Sequence, residues 1–426
     1  VMAELVEKYG YGSDGESFSI GDPNEVWIME MMPKGKDNKG AVWVAIRIPD
    51  GYVSSHANQA RITKFTLENK KNSISSKNLN LIFNPSVEVV YAADVIDFAR
   101  SKGYFSGKDA DFDFSNAYAP YSYGTLRGCD LRVWAFFNHI NGDMQKYWDY
   151  ATGDITKERM PLYIKPDKKL TIQDLMAAKR DHLEGTTLDM SKDAGAGPFG
   201  LPYRWRPMGW KYNGKEYVNE RTTATQQTGF SFIGEMRSWL PDAIGGVFWF
   251  GADDANSTVY MPFYMGITKV PHCVAEGNGD IITYADDAAF WVFNRVAHFG
   301  YLFYNRVMPD LRKVQNELEN KHIAEIKEID QKALTMYTNN YAEMRAYLTD
   351  YCEKMATHTI KRWKELDNYL LVKYLDGNVK KEKDGKFERN PWGYSVSPSF
   401  PGYSDEWKKM VVEDTDKKFE VPAKKN

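Results

Sequence analysis

Cysteine is scarce in this 426-residue chain, with Cys129, Cys273 and Cys352 as the whole set. Three scattered thiols do not make a disulfide framework. They leave the compartment open as well, because many exported proteins carry few Cys. No C-x-x-C pair occurs, and no His stands in an H-E-x-x-H pattern. The nearest run, Arg180-Asp181-His182-Leu183-Glu184, lacks the second His, so a zinc site has no support. Asp253-Asp254 and Asp286-Asp287 offer carboxylates in pairs. Adjacent carboxylates more often cap helices or solvate turns, and no metal or other cofactor is expected. The phosphate-cradling pattern G-x-x-x-x-G-K-[ST] is missing, and so is the nucleophile elbow G-x-S-x-G. Charge of one sign is missing too: 55 Lys and Arg stand against 58 Asp and Glu, for a net charge of −3. A nucleic-acid partner, which calls for a basic excess or a basic face, is not expected. No apolar run reaches the roughly 18 residues of a membrane span.

What the chain has in quantity is aromatic side chains: 12 Trp, 27 Tyr and 22 Phe, or 14 %. Two hairpins stand out. Glu25–Met31 and Ala41–Ile48 are rich in β-formers, and the second is an almost unbroken apolar run, as in a strand covered on both faces. Ile244–Phe250 and Ser257–Tyr264 repeat the pattern around a polar turn. Helices are expected over 93–101, 130–138, 172–183 and 231–240. The segment 191–219, rich in Gly, Pro and aromatics, reads as a long ordered loop pinned by packing. Phe290–Met308 is apolar nearly all round and predicts a buried helix. No Gly or Pro occurs from Asp310 to Asp376. There Leu311, Val314, Leu318, Ile326, Ile329, Ala333 and Met336 keep the spacing of one buried helical face. His322 lies on that stripe, which favours a packed residue over a catalyst. Thr338-Asn339-Asn340 is the expected break in a helical hairpin.

One stretch carries chemistry on its face. The apolar strand ending near Pro49-Asp50-Gly51 runs into Tyr52-Val53-Ser54-Ser55-His56-Ala57-Asn58-Gln59-Ala60-Arg61. Polar side chains at a strand end sit on a rigid scaffold. Asn58 could donate its amide to a developing oxyanion, and Arg61 could fork onto a substrate carboxylate. A hydrogen-bonded turn capped by Asn58 explains the same residues equally well. Ser54 and Ser55 beside His56 make a poor dyad, because adjacent side chains rarely face each other. A second candidate is Arg127-Gly128-Cys129-Asp130-Leu131-Arg132. Arg132 begins a helix, where the dipole does not favour a cation, which points to a specific partner. Basic neighbours could lower the pKa of Cys129, although most free Cys are small buried hydrophobes.

Four ordered blocks resemble a known family. They are Gly15-Glu16-Ser17-Phe18-Ser19-Ile20-Gly21-Asp22-Pro23-Asn24-Glu25-Val26-Trp27-Ile28-Met29-Glu30, then His56-Ala57-Asn58-Gln59-Ala60-Arg61-Ile62. Arg180-Asp181-His182-Leu183-Glu184-Gly185-Thr186 with Gly197-Pro198-Phe199-Gly200 follows, and last Ile244-Gly245-Gly246-Val247-Phe248-Trp249-Phe250-Gly251-Ala252-Asp253-Asp254-Ala255. They span most of residues 9–310 and resemble the bacterial dipeptidase family of cysteine N-terminal-nucleophile (Ntn) hydrolases. The resemblance implies an α+β fold, the four-layer αββα sandwich, with a long C-terminal helical extension. Residues 1–285 would form an incomplete core, 286–376 a helical region packed on it, and 377–426 an irregular tail. The implied reaction is hydrolysis of the peptide bond of dipeptides by a Cys at the mature N-terminus, with its own α-amino group as base. Asn58 would serve the oxyanion hole and Arg132 would organise the nucleophile, while His56 and Arg61 would bind substrate.

None of the three Cys matches the nucleophile position, and Val1–Tyr9 reads as the end of a helix in progress. The expectation is a longer gene product whose upstream segment carries the nucleophile, so that this chain alone is inactive. The same machinery would also suit an amidase for N-acyl amino acids or penicillin-like amides. From a different class, aromatic abundance allows a glycan-binding protein without catalysis. Relatives of this kind often carry an export signal, which places the expected site of action in the periplasm or outside the cell, although no signal is visible here. A homo-oligomer is permitted.

Overall fold

A computed structural model describes residues 1–36 and 38–422. The chain divides into two compact units, Val1–Ala178 with Gly209–Thr223, and Lys179–Met208 with everything from Ala224 onward. The expected boundaries at 285/286 and 376/377 both fall inside the second unit.

The first unit holds β1 (Glu16–Gly21), β2 (Val26–Pro33), β3 (Ala41–Ile48), β4 (Val53–Ser54), β5 (Ser73–Ser75), β6 (Val89–Tyr91) and β7 (Tyr163–Ile164). Five of them form one sheet in the order β1-β2-β3-β6-β5, while β4 pairs with β7. The first hairpin is present as expected: β2 and β3 run antiparallel, with Val26 opposite Ile48 and Pro33 opposite Ala41. Residues Ala41–Ala45 are all buried, as their apolar run predicts. Helix Val95–Ser101 buries Val95, Ile96 and Ala99, and helix Leu131–Ile140 buries Leu131, Val133, Trp134, Ala135, Phe137 and Ile140. The second of these follows a π-helical turn, Leu126–Asp130.

Part of the expected loop 191–219 is a hairpin, β8 (Gly209–Tyr212) and β9 (Lys215–Val218). Its turn is Asn213-Gly214, with φ of 47° and 73°, the left-handed pair that two-residue hairpins favour. That dipeptide was the available signal. Trp210 and Tyr217 stand opposite each other and stack at 4.4 Å, so each ring covers a face of the other.

The second unit contains β10 (Phe230–Met236), β11 (Gly246–Ala252) and β12 (Met261–Tyr264), antiparallel in that order. The helix expected over 231–240 is therefore wrong. Phe230 to Met236 alternates, and seven cross-strand partners on β11 outweigh a weak local propensity. Ile233, Trp249 and Tyr264 turn inward and are buried, while Phe230, Phe232, Phe248 and Phe250 share the opposite face. The 257–260 part of the second hairpin is not strand. Asp253 and Asp254 are not solvated as expected; each is 1 % exposed. The hydroxyls of Tyr203 and Tyr301 donate to Asp254, and Asn294 Nδ2 donates to Asp253 at 3.0 Å. Burial pushes the Asp253 carboxyl up to about 7.

One helix, Ala289–Asn339, takes in both the expected buried segment and the first arm of the hairpin. It passes through Pro309 with a local departure from helical geometry at Phe303. The second arm is Tyr341–Lys373, and the break falls at Asn340, whose side chain accepts from Glu343 N. Leu311, Val314, Leu318, His322, Ile329 and Ala333 are buried along the first arm. No helix among the described residues is long and apolar enough to cross a membrane. Of the aromatics expected inside, Trp43 and Trp249 are buried, while Trp27, Phe290 and Trp291 are half-buried.

Two outcomes follow from this packing. Trp363 on the second arm is fully buried against Phe293, 5.0 Å between rings. Trp363→Ala is expected to lower unfolding free energy by about 3–5 kcal/mol in denaturant titration; an unchanged midpoint would contradict its place in the core. His322 is 1 % exposed and lies 3.3 Å from both the Tyr260 carbonyl and the Thr359 hydroxyl. Burial pushes its pKa down to about 4. The unfolded chain then takes up the proton first, so stability contributed at neutral pH is lost as pH falls from about 6.5 toward 4, by up to about 1.4 kcal/mol per pH unit. His322→Asn should flatten that slope, so that the stability gap from wild type narrows between pH 7 and pH 4.5. A gap that stays constant would exclude His322 as its source.

Candidate active site

The chemistry-bearing stretch leaves β3, turns through β4 and returns over the end of the sheet. Residues 55–63 form no regular ladder, so other groups must satisfy their backbone. Glu30, in the middle of β2 and 0 % exposed, accepts the amides of Arg61 at 2.6 Å and Ile62 at 2.9 Å. Gln59 Nε2 donates to the Ala119 carbonyl at 2.6 Å, and the Tyr121 hydroxyl donates to the Ala60 carbonyl at 3.0 Å. Ser115 N donates to the Ile62 carbonyl at 2.9 Å. Thus the inner side of this loop is held by Glu30 and by residues 115–121.

Its exposed edge faces a cavity of about 680 Å³. The walls are Ser13–Ser17, Met32, residues 56–60, Tyr118, Ala119 and Arg132. Asn58 adopts φ +53°, a left-handed conformation that Asn tolerates better than most residues. Arg132 Nη2 donates to Asn58 Oδ1 at 2.9 Å, while Arg132 Nε donates to the Gly128 carbonyl at 2.9 Å. A guanidinium has only donors, so its partner on Asn58 has to be the carbonyl oxygen. That contact settles the amide orientation and turns the Nδ2 donors away from Arg132. Burial holds the pKa of Arg132 below its usual value, and the nearby charge of Arg221 acts in the same direction. His56 also lines the cavity, with Nε2 2.9 Å from Ser19 Oγ on β1.

Of the four residues singled out from sequence, the structure brings Asn58, Arg132 and His56 to one cavity. Arg61 is elsewhere. It is 4 % exposed, and its guanidinium donates to the carbonyls of Ser55 at 2.7 Å and Pro161 at 2.8 Å. It also faces Asp130 at 3.8 Å and lies over the Phe137 ring. Its donors therefore join the loop that carries Asn58 to residues 160–162 instead of opening onto the cavity. Asp130 is 1 % exposed and accepts from the Tyr150 hydroxyl at 2.7 Å. Sequence reasoning passed over Glu30 and Asp130. For Glu30 a signal existed, a lone carboxylate inside the apolar run Val26–Met32.

Burial raises the pKa of all three thiols. Cys129 lies 3.7 Å from the Asn58 carbonyl, and burial raises its pKa against the opposing pull of Arg132. The expectation that basic neighbours would lower it fails because desolvation is the larger effect. Cys273 and Cys352 are buried, and burial pushes each up to about 12. Among the described residues, no group of three or more His, Cys, Asp or Glu is placed to hold a metal ion.

Known proteins resemble this chain over much of its length. It is 25 % identical over 275 residues to a probable dipeptidase of Salmonella dublin, covering 63 % of this chain and 50 % of that protein. It is 24 % identical over 374 residues to the probable dipeptidase B of Lactococcus lactis subsp. lactis, covering 87 % and 67 %. Dipeptidase A of Lactobacillus helveticus is 23 % identical over 329 residues, covering 76 % and 57 %. The chain thus spans about half to two thirds of the length of these relatives. The model of peptidase family C69 matches residues 1–317, which include the whole cavity wall and both of its fixed partners, Asn58 and Arg132. By that match, over well more than half of its length, the chain belongs to peptidase family C69.

Proposed function

We propose that this chain is the larger part of a thiol-dependent dipeptidase with the αββα architecture of Ntn hydrolases. The observation that carries the reading is the bond from Arg132 to Asn58 Oδ1 at the cavity wall. It leaves the Asn58 Nδ2–H group as a preoriented donor, which is what a tetrahedral intermediate needs. Family membership and the names of the relatives support the substrate class.

The reaction divides between the cavity and a thiol from outside these 426 residues, since none of Cys129, Cys273 and Cys352 is activated. The incoming thiolate adds to the dipeptide carbonyl carbon, having given its proton to an adjacent amine. The carbonyl oxygen becomes an oxyanion beside Asn58 Nδ2. Collapse breaks the C–N bond as the protonated adjacent amine returns that proton to the departing nitrogen, and the second amino acid leaves with a free amino group. Water then hydrolyses the thioester, releasing the first amino acid and the thiol. Arg132 is cationic and fixed, and its charge favours both the oxyanion and the incoming thiolate. Arg61, in this reading, holds the site together instead of binding substrate. Export to the periplasm or the exterior belongs to the same proposal, by analogy with such bacterial enzymes.

In the full-length protein, Asn58→Ala is expected to lower kcat for dipeptides by roughly 10²–10³, as loss of one oxyanion donor does. An unchanged kcat would remove Asn58 from the site. A sample containing residues 1–426 alone is expected to hydrolyse no dipeptide. Cleavage by that sample, abolished by a thiol alkylating agent, would place the nucleophile among its own three cysteines. A panel of free dipeptides against N-acyl amino acids and penicillin-like amides assigns the substrate class, with free dipeptides expected to be the better substrates.

A further inference from the structure

We infer that Glu30 is a positioning residue of the proposed reaction, holding through the main chain of residues 61 and 62 the loop that presents Asn58 to the cavity. The inference rests on the dipeptidase reading of that cavity.

Glu30 never reaches substrate, because it has no exposed surface. Its two oxygens each take one amide, from consecutive residues just after Asn58-Gln59-Ala60. The charged groups that face it are Arg61 in the loop and Arg159. Both have their near contacts with other groups. Arg61 donates to Ser55 and Pro161 and faces Asp130. Arg159 faces Asp113 at 3.5 Å and donates to the hydroxyls of Ser115 and Tyr121. The carboxylate is therefore held mainly by main-chain amides.

Such a group is a poor stabiliser. Taking a charge out of water costs several kcal/mol before any return, so a buried carboxylate is weak evidence for stability. Burial pushes Glu30 up to about 7, with the two amides pulling the other way. The folded state thus holds this proton more tightly than the unfolded chain. The stability Glu30 contributes is present below the ordinary carboxylate pKa and lost as pH rises through about 7. At pH 8 the fold carries an unfavourable charge. What the charge secures is local: two anchored amides beyond a residue at φ +53°, in a stretch with no ladder of its own. A slip in the Glu30 bonds would shift the loop that sets the Asn58 end of the Asn58–Arg132 contact.

The test compares Glu30→Gln with wild type in the full-length protein. A Gln keeps one acceptor and replaces the other by a donor, so one amide loses its partner. The expected result is a kcat for an unblocked dipeptide lowered about tenfold or more with KM within about twofold, since small displacements of reacting groups act on the chemical step. The Tm of the variant relative to wild type is expected to be higher at pH 8 than at pH 5. Hydrogen exchange of peptides covering residues 55–62 should be faster, with the rest of the first unit unchanged. A lower Tm at both pH values with an unchanged kcat and unchanged local exchange would overturn the inference in favour of a plain structural role. Should wild type cleave no dipeptide, the dipeptidase reading falls, and local exchange alone then judges whether Glu30 holds the loop. Where the Gln variant does not fold, Glu30→Asp reads the same exchange, with the carboxylate kept but withdrawn by one methylene. Unaltered exchange in that variant would likewise overturn it.

Discussion

A carboxylate with no exposed surface sits in the middle of β2, and two consecutive amides of an irregular loop converge on its oxygens. Loop backbone inside a protein must find partners or lose several kcal/mol per unmet group. Glu30 meets that requirement where no neighbouring strand can. Arg61 completes it, because its guanidinium reaches carbonyls on both sides of the loop and approaches Asp130. The cavity wall is shaped by this buried polar frame. Within that frame Asn58 holds a left-handed backbone, and Arg132 fixes its amide orientation.

The second unit uses the same device, with the carboxylates on a long helix instead of a strand. Glu319, on helix Ala289–Asn339, takes Arg180 at 2.6 Å and the amide of Tyr260 at 3.0 Å. Asp330, on the same helix, takes Arg237 at 2.5 Å and the Tyr264 hydroxyl at 2.9 Å. Arg237 in turn donates to the carbonyls of Ile244 and Gly245. Irregular connections near β11 and β12 are thereby fastened to a long helix by charge and hydrogen bond together. Pairs of this kind define geometry more than they add stability, because desolvation offsets most of their attraction.

Elements whose pattern is local were readable in the sequence. The β2–β3 hairpin follows from β-formers on both sides of a polar turn, and the helical arms from a sustained apolar spacing broken at Asn340. The β10 strand was misread because a short apolar run suits either structure, and the partner strand that decides lies several residues further on. The hairpin at Asn213-Gly214 was readable and overlooked. Asp253 and Asp254 looked like solvated turn residues, yet Tyr203, Tyr301 and Asn294 come from far along the chain to bury them. Residue type and spacing contain no information about such distant partners.

For the site, the chain of residues alone singled out a strand end dense in polar groups and a separate Arg132 at a helix start, and ordered motifs linked the strand end to a peptidase family. It also determined that three scattered thiols make neither a disulfide framework nor a zinc ligand set. Only tertiary structure decided the roles of the two arginines. Arg132 reaches the cavity and orients Asn58, while Arg61 turns inward to fasten the loop. The physical reason is desolvation. Whether a cation is free to meet a ligand depends on which carbonyls and carboxylates the fold brings to it, and those lie up to a hundred residues away in sequence.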